Sequence, residues 1–310
     1  MSIPINTGNF DKLLDRLVDE IWFDNLKKTS QMYTQLVNVE SSSKASEKHL
    51  TAVGLEDWRE SGEAQSATYT EALQGFEKNY VPTIYKSGYA LTREMKDDDQ
   101  YDKVAAQAAK LSQTAIRTID KEVFKMVINA TNTTYYAGAD TYAIASASHT
   151  NEDSSVTAWD NANTGVLNET NLETMLVAFT ERKDGRGELI DMNPTQLWVP
   201  PALAKEAMIL MKSTGRVGTT DNDINAYNGR LSVIEAKRMG AAAGGSDTAY
   251  MIVDSSYNKS GQGMNLYMRI NPEIGRETEL ETGVQKYVGY MRFSLGFTDA
   301  RGVEHSTGAA

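Results

Sequence analysis

Phe10, Leu13, Leu14, Leu17, Val18, Ile21 and Trp22 recur at three- and four-residue steps, with Asp11, Asp15, Asp19 and Glu20 between them. This spacing gathers the apolar groups on one face and predicts an amphipathic helix over 10–28. Near a terminus such a helix docks on its own domain or lies as an arm on a neighbouring chain, and the pattern is compatible with both. A longer repeat follows at Val104, Ala108, Leu111, Ala115, Ile119, Val123, Met126 and Val127, reaching Asn129 without Gly or Pro. Asp97, Asp98 and Asp99 stand before it, where the positive end of a helix dipole favours acids. A helix over 98–129 spans roughly 45–50 Å at 1.5 Å per residue, about the diameter of a compact chain of this length. One helix as long as the whole globule predicts a flat, elongated molecule.

Between these helices lies a polar stretch, 41–79, with four basic residues (Lys44, Lys48, Arg59, Lys78) against seven acidic ones and no sustained apolar period. Strands are predicted on either side, over 33–39 and over 83–91, the latter from the alternation of Tyr85, Ser87, Tyr89 and Leu91. Nearly forty polar residues are long for a loop inside a compact domain, so the stretch is expected to project from the body as an extended hairpin.

Residues 131–164 read as loops with short β pieces. A helix is predicted from Thr170, with Thr170 and Glu173 in a capping-box spacing and Leu172, Met175, Leu176 and Phe179 as its stripe, ending near Asp184 and Gly185. A strand over 195–199 runs into Pro200 and Pro201, which open another helix. The last third reads as strands over 231–236, 249–254, 266–270 and the long alternation 287–297. Helices and strands interleave without a βαβ rhythm, so the class is α+β.

The chain has 310 residues, 31 basic against 42 acidic, a net charge of −11, and no cysteine. Disulfides, thiolate metal sites and cysteine nucleophiles are thereby excluded. Such a charge repels phosphate over most of the surface, which argues against generic coating of nucleic acid. No apolar run approaches the roughly 18 residues needed to span a bilayer, so no membrane helix is expected. The first residues lack a basic and apolar leader.

Candidate chemistry is sparse. His49, His149 and His305 lie far apart in polar stretches. Asp221, Asp223 and Asn225 have the one-three-five spacing of a calcium loop, but Ala226 stands where the turn wants Gly and Ser232 where a bidentate Glu belongs. A solvated polar loop explains them. Gly261-Gln-Gly263 starts like a dinucleotide fingerprint but no strand-loop-helix frame follows. Trp198 sits on a strand that reads as core. No catalytic, cofactor or metal residue is assigned, and the chain is not expected to be an enzyme.

The order of elements is more specific. Gly75-Phe-Glu-Lys-Asn-Tyr80, Tyr85-Lys-Ser-Gly-Tyr89 and Leu91-Thr-Arg-Glu94 lead into Asp97-Asp-Asp-Gln-Tyr101; Trp198-Val-Pro-Pro-Ala-Leu203 follows, then Leu231-Ser-Val-Ile234 and Phe297-Thr-Asp-Ala-Arg301. Together they resemble the major capsid proteins of tailed bacteriophages, whose fold encapsulin shells share. The resemblance implies an N-terminal arm over 1–36 and an extended loop over 37–92. A peripheral domain over 93–190 would carry the spine helix at 98–129. An axial domain would occupy 191–265, and closing strands of the peripheral domain 266–310. It implies a subunit that assembles with itself as hexamers and pentamers into an icosahedral virion head around double-stranded DNA, contacted weakly. Assembly would take place in the host cytoplasm, with a portal and decoration proteins as further partners. The arm begins within ten residues of Met1, so a scaffold is expected to be a separate protein or absent. Some family members cross-link through a Lys and an Asn; Lys44 and Lys48 lie in the right region, but nothing marks them as reactive. The alternatives are an encapsulin-like compartment, and a cytosolic enzyme using a carboxylate pair, which leaves the polar stretch unexplained.

Overall fold

The computed structural model describes residues 7–66, 69, 71–97, 101–215 and 224–309. The chain begins with helices α1 (Thr7–Lys28) and α2 (Tyr33–Leu36) and the short strands β1 (Asn38–Ser41), β2 (Glu47–Leu50) and β3 (Glu77–Tyr80). Next come β4 (Thr83–Leu91), α3 (Arg93–Asp97), the long α4 (Tyr101–Ile128), β5 (Ala162–Asn163) and α5 (Glu169–Thr180). The rest is β6 (Gln196–Val199), α6 (Pro201–Lys212), β7 (Ser232–Glu235), β8 (Tyr250–Val253), α7 (Ser255–Lys259), β9 (Met264–Thr278), β10 (Gln285–Phe297) and β11 (Val303–Ser306).

Two sheets organise these elements. One has the order β1-β9-β10-β4, the other β5-β11-β8-β6-β7. Strand alternation links them. On β6 and β8, Trp198, Met251 and Val253 face a core shared with Phe124 and Val127 of α4 and Phe293 of β10. Their neighbours Leu197, Val199, Tyr250 and Ile252 point the other way, onto Leu172 and Phe179 of α5 and Ala207 of α6. The adjacent strands β6 and β8 are thus buried on both faces, which is why they read as nearly continuous apolar runs. Trp198, expected in the core, is fully buried and donates its Nε1–H to Gln196 Oε1 at 2.9 Å.

The N-terminal helix docks on its own chain, packing along α4. Val18 and Trp22 are buried, Trp22 Nε1–H reaches the Pro272 carbonyl at 3.4 Å, and Asp19 pairs with Arg276 at 2.6 Å. Pro272 sits in the middle of β9, where a proline is tolerated only at an irregularity. The register against β10 shifts there, from Tyr290↔Glu273 to Arg292↔Ile270, leaving an extra residue on β9.

Several expectations change. The strand expected over 33–39 is a helical turn followed by a strand: Tyr33 N–H donates to Asp120 Oδ1 at 3.0 Å, and Tyr33, Leu36 and Val37 turn together into the core. The two strands flanking the polar stretch do not pair with each other, because β1 lies parallel to β9 and β4 antiparallel to β10. The hairpin is instead made inside the stretch, by β2 and β3. The α5 cap is Asn168, whose side chain accepts from Asn171 N at 2.8 Å, and the expected capping-box Thr170 is inside the helix, which ends at Thr180. β9 continues eight residues past the 266–270 core, and β11 was not anticipated at all. The α4 helix is described from Tyr101; Asp98 and Asp99 lie outside the described residues, as do Asp221 and Asp223.

The chain exposes 17761 Å² of surface. A compact monomer of its mass exposes about 12,900 Å². The excess accords with the elongated form expected from the long helix.

Candidate functional site

The polar stretch leaves the body through a root built residue by residue. At the β2–β3 base, His49 stacks on Tyr267 with ring centres 5.1 Å apart, and Tyr80 meets Tyr267 edge-on at 5.0 Å. The Tyr80 hydroxyl bonds Thr298 Oγ1 at 2.7 Å, and burial raises its pKa above the ordinary tyrosine value. One step outward, Thr51 and Phe76 close the two limbs. Thr51 N–H donates to the Phe76 carbonyl at 2.9 Å and Phe76 N–H to Thr51 Oγ1 at 2.9 Å. Gly75 is required here, since a Cβ would lie 2.1 Å from the Thr51 carbonyl oxygen.

Beyond the root, Arg186 ties the limbs together. Its Nε donates to the Gly54 carbonyl on the outgoing limb at 2.8 Å, and one Nη to the Glu71 carbonyl on the returning limb. The tight turn that presents it is made by Asp184, whose carboxylate accepts from Arg186 N at 2.8 Å and Glu188 N at 3.0 Å. Gln262, from the glycine pair that resembled a nucleotide loop, accepts Ala52 N–H at 3.0 Å instead.

Beneath the root lies a buried polar network that the sequence reading missed. Thr51 donates to Glu152, and Glu152 lies 3.5 Å from Arg301, which also grips Asp299 at 2.5 Å and Asn151 at 2.9 Å. Burial opposes the Arg301 charge, but Asp299, Tyr257 and Glu152 more than offset it and raise its pKa. Arg182 pairs with Glu304, and burial pushes the Glu304 carboxyl up to about 7 although Arg182 pulls it down. Trp159 is the hub. The Arg182 guanidinium lies 4.4 Å over its ring, and His149 stacks on it at 4.3 Å. His149 contacts Asp140 at 2.6 Å and Asn161 Oδ1 at 3.1 Å. Each charge in this network is committed to an opposite one, which is how buried ions are tolerated.

The structure does not bring the sequence candidates together. His49, His149 and His305 sit in separate elements. Asn225 spends its amide on the Leu210 and Ser213 carbonyls and on Tyr227 N–H. Lys44 and Lys48 are exposed and paired with Glu47 at 2.8 Å and Glu77 at 2.6 Å. The space between α1, α4 and the sheet, lined by Trp22, Tyr85, Leu111 and Met291, has Lys86 as its only charged lining residue. Among the described residues no group of three His, Asp or Glu is placed to hold a metal ion, and no helix is long and apolar enough to cross a membrane.

What the projecting elements do offer is uncovered apolar surface. Trp58 is fully exposed in the stretch between β2 and β3, with Tyr69 at 90% and Leu55 at 72%; Leu280, in the β9–β10 turn, is at 98%. Large apolar groups left in water on extensions mark surfaces that partners cover.

A family model described as "Phage capsid protein" matches residues 76–305, most of the chain. This chain belongs to that family. It is a structural subunit of a tailed-phage head shell, with the mixed helix-and-sheet fold of such capsids. The capsid structure of the cyanophage P-SCSP1u is similar, with a TM-score of 0.59 and 12% identity, covering 90% of this chain and 88% of that chain. The capsid of an empty GTA particle matches with a TM-score of 0.56 and 12% identity, over 90% of each chain. A virus-like particle from Pyrococcus furiosus matches at 0.51 and 9% identity, covering 94% of this chain and 98% of that one. No curated protein matches the capsid chain by sequence.

Proposed function

We propose that copies of this capsid protein tile a closed icosahedral shell of hexamers and pentamers around double-stranded DNA. Assembly takes place in the host cytoplasm, and a portal and a separate scaffold are partners. The observation that carries the reading is the set of bare apolar groups on the extension: Trp58, Tyr69 and Leu55 have nothing to bury against in one copy. Laid over a neighbouring subunit, they exchange water for apolar contact at about 25 cal/mol per Å². Each subunit engages several neighbours, so individually weak contacts become collectively strong. Closure requires heterologous contacts whose rotations complete a ring.

In this reading 1–36 is the arm, 37–92 the extended loop, 93–190 with 266–310 the peripheral domain, and 191–265 the axial domain. The role is structural, and no residue acts in catalysis. Negative-stain electron microscopy of the expressed protein tests the proposal: shells or capsomer rings support it. Replacing Trp58 and Tyr69 by Ser should then leave the subunit folded and shift it to unassembled species. Assembly that survives this double substitution overturns the role given to the extension.

A further inference from the structure

The exposed face of α4 carries a row of positive charge on a chain that is acidic overall. Lys110, Arg117 and Lys121 are all exposed. At 100° per residue, steps of seven and four return to within about 20° of the same direction, so the three form a straight row with spacings of about 10.5 and 6 Å. None of them makes an ion pair among the described residues. Acids on this part of the helix are occupied elsewhere: Asp120 is buried and takes Tyr33 N–H, and Glu122 turns to Lys125 at 3.8 Å.

The row continues across the packed elements. Arg117 lines one groove with Lys28 at the end of α1 and with Arg238 from the segment after β7. Lys27 is exposed beside Lys28. The acids facing this groove are Asp120, 4.0 Å from Arg238, and Asp24, which pairs with Lys28 at 2.5 Å. Glu20, one turn earlier on α1, is exposed and lies outside the groove lining. A chain of net charge −11 therefore gathers unpaired cations on one helical face. The phosphates of a DNA duplex are the complementary partner, and lysine and arginine bind them without reading sequence.

We infer that the α4 row, Lys110, Arg117 and Lys121, is a sequence-independent contact for the phosphate backbone of packaged duplex DNA, with Lys27, Lys28 and Arg238 at its end. This rests on the shell reading and makes this face of α4 part of the inner wall. The surrounding negative charge keeps the contact weak and salt-sensitive, so the wall touches the genome without gripping it.

The test is binding of a blunt mixed-sequence DNA duplex to the purified full-length protein across a series of salt concentrations. Each phosphate neutralised contributes about −0.9 to the slope of log K against log salt, so replacing all three with Gln should flatten the slope by about 2.7. A control removing the same number of charges elsewhere, Lys205→Gln with Lys212→Gln and Lys259→Gln, should keep the native slope. An unchanged slope in the α4 variant overturns the inference, as does an equal loss in the control or no measurable binding by the native protein at low salt. Shell formation by microscopy is scored on the same preparations. Binding is read on unassembled subunits, before any shell encloses the α4 face: subunits that do not bind DNA but go on to form shells refute this inference alone, whereas absence of shells counts against the shell reading.

Discussion

Replacing Arg186 with Gln isolates what holds the two limbs of the polar stretch together. The Arg186 fork joins the Gly54 carbonyl on one limb to the Glu71 carbonyl on the other, and its side chain is 10% exposed. Hydrogen bonds from a charged donor are worth about 1.5–3 kcal/mol when buried, and exposure at the loop lowers that to about 1 kcal/mol each. Losing both should ease opening of the root by about 2 kcal/mol, roughly a 30-fold rise in the open population. Hydrogen exchange by mass spectrometry on unassembled subunits reads this directly, in peptides covering 51–56 and 71–76, with β10 as internal reference. Arg186→Lys keeps the charge but cannot span both carbonyls with a planar fork, so it should recover less than half the protection. Unchanged exchange in both limbs of Arg186→Gln, with β10 also unchanged, would refute the claim that this residue straps the loop.

Further predictions concern the root and the network beneath it. Gly75→Ala drives a Cβ onto the Thr51 carbonyl oxygen, so the β2–β3 root should open and lower the thermal midpoint, whereas Gly229→Ala, which meets no neighbouring atom, should cost only its positive-φ strain. Trp159→Ala removes the surface on which Arg182 and His149 stack, and should destabilise the subunit by about 3–5 kcal/mol in urea unfolding. Burial holds the His305 imidazole down at about 4. Its contribution is therefore present above the ordinary histidine value and lost as pH falls toward 4, amounting to about 2 kcal/mol between pH 7 and pH 5. His305→Gln should flatten the stability profile by that amount, even though the raised Glu304 acts in the opposite sense; identical profiles would disprove it.

Some elements announced themselves through period alone. The stripe from Ala108 to Val127 and the alternation from Tyr287 to Phe297 each run from the small cluster around Ala108 and Tyr287 into the main core, so hydrophobic spacing and structure coincide. Misreadings arose where burial is carried by something other than apolar spacing. β11 reads Val-Glu-His-Ser and is buried throughout, because Glu304 is paired with Arg182 and burial keeps the His305 imidazole uncharged. The second half of β9 looks like a loop because Pro272 and its charged flanks suit a bulged, exposed ribbon. Tyr33-Thr-Gln-Leu36 carries strand-like composition, yet an acceptor 87 residues away, Asp120, caps it as a helical turn. The loop root was equally hidden: Thr51, Glu152, Arg186 and Arg301 are far apart in sequence, and only the fold makes them neighbours. The family resemblance, by contrast, was legible because element order and length survive where side-chain detail does not.

The central claim is that this chain builds a shell, and cryo-electron microscopy of the particles it forms tests that most directly. The account predicts closed icosahedral particles in which residues 51–76 of each copy lie over an adjacent subunit and cover Trp58 and Tyr69. Particles in which those residues remain bare, or a protein that stays monomeric at every concentration with and without its co-expressed head proteins, would contradict it.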